Sequence, residues 1–276
     1  MSLLSFSTPS DFLQKSKGDE GGRELALLPK KPFPGQTLLG PALVLLLWYV
    51  ASGLGWISPA KMPGPIVVAS SFLDMVESGT LASDVSMSLQ RAGIALVVGV
   101  ASGFVLAILA GLTRLGDALI DGNVQVKRSI PNLALIPLFI IWLGIGEMMK
   151  VSIIAIGVAI PIYINTHAAL RGIDRRYVEL GQTVGLSNWR FLRHIVFPAS
   201  LPGFFTGLRL AVTSAWTALV VVETVNATSG IGYMITQART YGQTDVVLVG
   251  LVIYGVLGFG SDAIVRLLEG KVLSWR

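Results

Sequence analysis

From residue 88 to residue 112 the chain runs as one apolar segment whose only charge is Arg91. A stretch that long and that poor in charge suits a hydrocarbon layer about 30 Å thick. No water is available there to satisfy peptide groups, so a helix or a closed barrel is the only spanning form. Composition carries the constraint to the whole molecule. Of 276 residues, 53% are apolar and 13% charged, against about 25% charged in a soluble domain. The fold class that follows is an all-α integral membrane protein.

Six apolar segments predict six transmembrane helices, at about 37–57, 88–112, 130–143, 151–170, 203–225 and 245–268. Residues 1–36 mix Ser, Pro, Lys and Glu without apolar periodicity and read as a disordered tail. The membrane domain is then 37–276. Residues 58–87 read as an outer loop with a short surface helix, 113–129 as a polar loop, and 226–244 as a second outer loop. Two segments carry small residues every fourth position. These are Ala95, Gly99, Gly103, Ala107 and Gly111, then Gly203, Gly207, Ala211 and Ala215. Each series makes a smooth face on which another backbone can sit closely, and packing within one subunit is favoured over a dimer seam.

Charge sets the orientation. Sixteen Lys and Arg fall in 1–36, 113–129, 171–200 and 266–276, whereas the opposite loops hold Lys61, Lys150 and Arg239. By the positive-inside rule both termini and the 171–202 segment are cytoplasmic. The net charge of +5 therefore reads as membrane orientation and not as nucleic-acid binding. No Gly-x-x-x-x-Gly-Lys-Ser/Thr phosphate loop occurs, which excludes ATP hydrolysis by that route. There are no cysteines, and two histidines, His167 and His194, are too few for a histidine-based metal site. No cofactor is expected.

The polar stretch 171–202 interrupts the oily chain. Residues 175–183 suit a short helix that Gly185 can stop in a left-handed conformation. Ser187 can cap a second helix carrying Trp189, Phe191, Leu192 and Ile195, which Pro198 and Pro202 are expected to end. The product is a helix–Gly–helix elbow suited to docking a soluble partner.

Glu179, Gly181, Gly185, Pro198, Pro202 and Gly207 resemble the Glu-Ala-Ala loop of ATP-binding-cassette (ABC) importer permeases. Leu180-Gly181 stands where Ala-Ala is usual, and Phe197-Pro198 where Leu-Pro is usual. Further segments at 88–91, 130–138, 142–147 and 207–211 are similar to the nitrate/sulfonate/taurine/bicarbonate branch of that family. The resemblance implies a non-catalytic permease subunit of a bacterial inner membrane. Its implied partners are two cytoplasmic ABC ATPases, an external substrate-binding protein, a second copy of itself and the bilayer. It implies a coupling role for Arg175, Arg176, Glu179, Gly181, Gly185, Ser187, Trp189 and Pro198, and a small anionic solute of the sulfonate, nitrate, bicarbonate or aromatic acid class. An ATPase-independent carrier or channel would want repeated halves or several intramembrane charges. An intramembrane serine enzyme would want a Gly-x-Ser-x-Gly loop, which is absent.

Path-lining candidates are Arg91, Pro137, Asn165, Trp216 and Glu223. The span holding Pro131 and Pro137 needs neighbours or a cavity to satisfy the carbonyls its prolines free. Glu223 near a membrane centre would cost on the order of 3 kcal/mol, so it faces inward and can pair with Arg91. Two readings stay open: an outer gate or path lining, and a fixed interhelix ion pair. Asn165 and His167 suit either an inner vestibule or a polar interhelix contact. Glu147 and Lys150 flank the turn between the third and fourth spans, either as a solvated rim or as a contact for the delivery protein. Trp142, Tyr163 and Trp216 suit packing or an interfacial belt.

Overall fold

The computed structural model describes residues 36–275. The expected tail, 1–36, lies outside the described residues up to position 35. The chain divides into two units, residues 1–50 and 51–276. The helix α1 (Gln36–Gly53), most of which falls in the first, contains Pro41. Its apolar part, Leu39–Gly53, extends about 22 Å at 1.5 Å per residue. That is short of the roughly 30 Å hydrocarbon core.

The second unit holds the other described helices. They are α2 (Pro65–Glu77), α3 (Thr80–Leu112), α4 (Arg114–Ser129), α5 (Asn132–Leu143), α6 (Glu147–Arg171), α7 (Arg175–Thr183), α8 (Asn188–Val225), α9 (Ile231–Thr240) and α10 (Thr244–Val272). Four of these, α3, α6, α8 and α10, are long and apolar enough to cross a membrane. The expected third span, 130–143, is not a separate rod. Its helix α5 forms a bent pair with α4, the two meeting at 97°. Counting that pair as one broken span gives five crossings by length and composition among the described residues.

Two expectations change for identifiable reasons. Residues 114–129 are helical rather than a polar loop. Thr113 accepts a hydrogen bond from the Gly116 N–H at 2.9 Å, a capping contact that starts α4. Val124 then packs against Ala107, Ala110 and Tyr163, so a few apolar contacts hold a helix whose other faces are polar. Second, Pro198 and Pro202 do not end the helix after Ser187. That helix runs on as α8 for 38 residues. A π turn at Leu192–Val196 ends two residues before Pro198. The widened ladder there is a place where a ring without an N–H fits.

Helix α6 is gripped on two sides by the small-residue faces. A Cβ on Gly99 would lie 2.5 Å from the Ala155 carbonyl oxygen, and one on Gly103 2.5 Å from that of Ala159. From α8, a Cβ on Gly207 would lie 2.8 Å from the Pro161 carbonyl oxygen. Ala95, Ala107, Ala211 and Ala215 are fully buried. The smooth faces are thus used inside one subunit, where glycine lets backbones touch. Gly103→Leu is expected to destabilise the protein by about 1–3 kcal/mol through overpacking. Loss of the monodisperse peak on detergent size exclusion is the measurement, and an unchanged melting temperature would contradict this packing.

Pro161 interrupts α6 without breaking it. Its missing N–H leaves the Gly157 carbonyl without an intrahelical donor. The Ser214 hydroxyl of α8 donates to that carbonyl at 3.1 Å. A neighbouring helix therefore satisfies the group that proline frees, as the hydrocarbon setting requires.

Candidate functional site

At one end of the bundle, α3, α6, α8 and α9 meet around Arg91 and Glu223, which are 2% and 1% exposed. All five guanidinium donors of Arg91 are used. Nε and Nη2 make a bidentate contact with Glu147 at 2.6 and 2.8 Å. Nη1 reaches Glu223 at 2.7 Å and the Ser229 carbonyl at 2.6 Å, and Nη2 reaches the Ser229 hydroxyl at 3.2 Å. Glu223 accepts further from the Ser88 hydroxyl at 2.8 Å, the Gly232 N–H at 2.8 Å and the Tyr254 hydroxyl at 3.0 Å. Lys150 donates to Glu147 at 2.8 Å.

The loop before α9 is built around this pair. Gly230 has φ +109°, and a Cβ there would lie 2.5 Å from Glu223 Oε1 and 2.7 Å from Arg91 Nη1. Only glycine permits both the backbone conformation and the approach. The first N–H groups of α9 lack helical partners and are taken from outside. Asp84 accepts from Gly230, Ser88 from Ile231 and Glu223 from Gly232. The expected Arg91–Glu223 pair is present, and it is saturated and closed to solvent. Sequence reading missed Ser88, Ser229, Gly230, Gly232 and Tyr254. The signal available for them was slight: a Ser-Gly-Ile-Gly turn following a membrane carboxylate.

The other path candidates have internal partners. Asn165 donates to the Pro161 carbonyl one turn back, at 2.8 Å. Trp216 Nε1 donates to the Ser261 hydroxyl at 2.8 Å, tying α8 to α10. Pro137 lies in the first turn of the α-helical part of α5. His167 stacks on Tyr163 with ring centres 5.2 Å apart and contacts Asp117 at 3.0 Å. Arg171 pairs with Asp117 at 2.7 Å and the Tyr163 hydroxyl donates to Asp121 at 3.1 Å. Tyr163, His167 and Arg171 recur every fourth residue of α6 and face a π turn of α4, Asp117–Asp121. They clamp the end of α6 from which the next segment departs.

That segment is α7, a left-handed glycine, and the start of α8. Asp174 caps α7 by accepting from the Arg176 N–H at 2.9 Å. Gly185 has φ +69°. The Leu186 N–H bonds the Gly181 carbonyl at 2.9 Å and the Gly185 N–H bonds that of Gln182 at 3.1 Å, the paired bonds of a Schellman stop. Ser187 opens α8 by accepting from the Arg190 N–H. Gly181 is buried beneath Phe191, where a Cβ would lie 2.9 Å from the ring. Arg175, Arg176, Glu179 and Trp189 are exposed, as are Tyr177, Leu180 and Val184. Leu180 and Trp189 are 58% and 66% exposed, so the turn presents apolar side chains among charges. Among the described residues Glu179 has no cation within 4.0 Å, so it is not paired with the neighbouring Arg175 or Arg176.

The family described as binding-protein-dependent transport system inner membrane component matches residues 99–274. The chain belongs to that family. The permease is 40% identical over 235 residues to an Escherichia coli K12 protein named as an aliphatic sulfonates transport permease, with 85% of this chain and 89% of the relative covered. It is 37% identical to the Bacillus subtilis protein of the same name, with 87% of each covered. A taurine transport system permease of E. coli is 30% identical over 85% of the chain and 87% of the relative. The fold is shared with an amino acid ABC transporter crystal structure, at a TM-score of 0.59 and 18% identity, covering 72% of this chain and 98% of that one. The protein is thus a multi-pass, non-catalytic permease subunit of an ABC importer. It works with an ATPase and a substrate-binding protein.

Proposed function

We propose that two copies of this permease enclose a path for a small organic anion of the alkanesulfonate class. The observation that carries the reading is the 40% identity to an aliphatic sulfonates permease over nearly the whole chain. In this reading α7, Gly185 and the first turn of α8 seat in a groove on each of two cytoplasmic ATPases. Exposed Tyr177, Leu180, Val184 and Trp189 supply the apolar contact, while Arg175, Arg176 and Glu179 supply the polar rim. The Schellman turn makes this segment stiff enough to transmit displacement. The end of α6 receives it directly, the Asp117 contacts to His167 and Arg171 pass it on to α4, and the buried glycine contacts pass it to α3 and α8. The bias of Lys and Arg toward the tail, 113–129, 171–200 and 266–276 supports a cytoplasmic position for both termini and the turn in this reading. An external binding protein then delivers the anion at the end where Arg91 and Glu223 lie. The membrane domain is taken as 37–276.

The experiment is uptake of radiolabelled ethanesulfonate into proteoliposomes holding the permease with its ATPase and binding protein. Accumulation is expected only when hydrolysable ATP and the binding protein are both present. Uptake through the permease alone would overturn the reading.

A further inference from the structure

The bend between α4 and α5 borders a cavity of about 250 Å³ that also touches α6 and α8. Its lining includes Lys127 and Arg128 and contains no carboxylate. Among the described residues no carboxylate lies within 4.0 Å of either cation. The acids on α4 are engaged elsewhere, since Asp117 and Asp121 face Tyr163, His167 and Arg171. Two neighbouring cations without counter-charge beside a cleft make a local positive field, which low-dielectric walls strengthen.

Polar groups in the cavity are held in place. Asn132 donates to the Ile153 carbonyl at 2.8 Å, which points its own oxygen to Lys127 Nζ at 3.2 Å. Ser214 is fixed by donating its hydroxyl to the Gly157 carbonyl, so the two cations are left as the groups that would hold an anion here. The space depends on Gly157, where a Cβ would lie 2.9 Å from Asn132 Nδ2 and 3.3 Å from Ser214 Oγ. Ile160 lends an apolar wall. At 250 Å³ the cavity lies just under the range that holds drug-sized ligands, about 300–1,000 Å³.

We propose that this cavity is an anion-binding station within the permease, taking the sulfonate or carboxylate head of a small organic anion at Lys127 and Arg128 and its short alkyl part against Ile160. The inference rests on the transport reading and adds that the permease itself, and not only the binding protein, selects charge. A broken helix beside a cavity is where secondary transporters commonly hold substrate, and the same physical grounds, freed backbone and room beside it, apply at this bend. Sequence reading placed Lys127 and Arg128 only among orienting charges, because the fold alone brings Asn132, Gly157 and Ser214 to them.

The chain has no cysteine, so Ser214→Cys gives a single, near-isosteric reporter thiol in the full-length protein in native membranes. Its thiolate displaces methanesulfinate from a methanethiosulfonate and forms a mixed disulfide, so any change in thiol ionisation affects every such reagent alike. The sulfonatoethyl reagent is expected to react about tenfold faster than the trimethylammonioethyl reagent. Millimolar ethanesulfonate is expected to slow labelling. Adding Lys127→Gln is expected to remove most of the preference, while Lys127→Arg retains it. Equal rates, a preference for the cationic reagent, or a thiol that neither reagent reaches with or without ATP would overturn the proposal. This readout needs no uptake. Failure of ATP-driven transport in proteoliposomes would instead remove the transport reading on which it stands.

Discussion

Gly185→Pro is expected to reduce ATP-driven uptake at least 100-fold while the protein still inserts into the membrane. Gly185 sits at φ +69°, whereas a proline ring holds φ near −65°. The substitution also deletes the N–H that bonds the Gln182 carbonyl at 3.1 Å. Both bonds of the stop are then lost, and α7 leaves α8 at a different angle. Gly181 and Phe191 separate, and the exposed apolar face no longer has one shape to offer an ATPase. Nothing in the glycine contacts between α3, α6 and α8 depends on this turn, so the bundle itself is untouched. Gly185→Ala should fall between, because a left-handed non-glycine residue costs about 1–2 kcal/mol. Uptake, ATPase co-purification and membrane-inserted protein are measured together. Transport at near wild-type rate would sink the coupling assignment.

The second large effect is on stability. Arg91→Met or Glu223→Ala is expected to cost about 3–5 kcal/mol, because each leaves a buried charge or its donors without partners. Loss of folded protein on size exclusion and a lowered melting temperature should accompany loss of transport. Viewed from sequence alone, Glu223→Gln would alter transport more than expression, as a gate residue would. The geometry reverses that ranking. Glu223 accepts from Arg91, Ser88, Gly232 and Tyr254 at once, and an amide that must donate through one end cannot satisfy four donors. A variant with normal melting temperature and impaired uptake would restore the gate reading.

These two predictions separate what can be read along the chain from what cannot. The stop at Gly185 and the cap at Ser187 were legible because they depend on neighbours within five residues. The small-residue faces at 95–111 and 203–215 were legible for a similar reason, since a fourfold spacing repeats on one side of any helix. The pairing of Arg91 with Glu223 could be suspected, because a membrane carboxylate has few affordable states. Its closure by Ser229, Gly232 and Tyr254 could not.

Other misses have the same origin. Residues 113–129 look like a loop because their burial comes from few contacts, with Val124 held by Ala107, Ala110 and Tyr163. Pro198 and Pro202 look like a stop because proline removes a local hydrogen bond, yet the π turn before Pro198 opens the ladder and α8 continues. The amino-acid order by itself determined that this chain is helical, belongs in a bilayer, and carries a bent polar segment between oily ones. Those properties follow from hydration cost and short-range backbone geometry. Only the tertiary structure decided that α4 and α5 meet at 97°, that Ser214 repairs the gap left by Pro161, and that Lys127 faces Asn132 beside a cavity. Ser214 and Gly157 are 57 residues apart, and the cavity beside the bend is walled by α6 and α8 as well; no spacing rule along one chain can specify a contact that depends on where another helix lies.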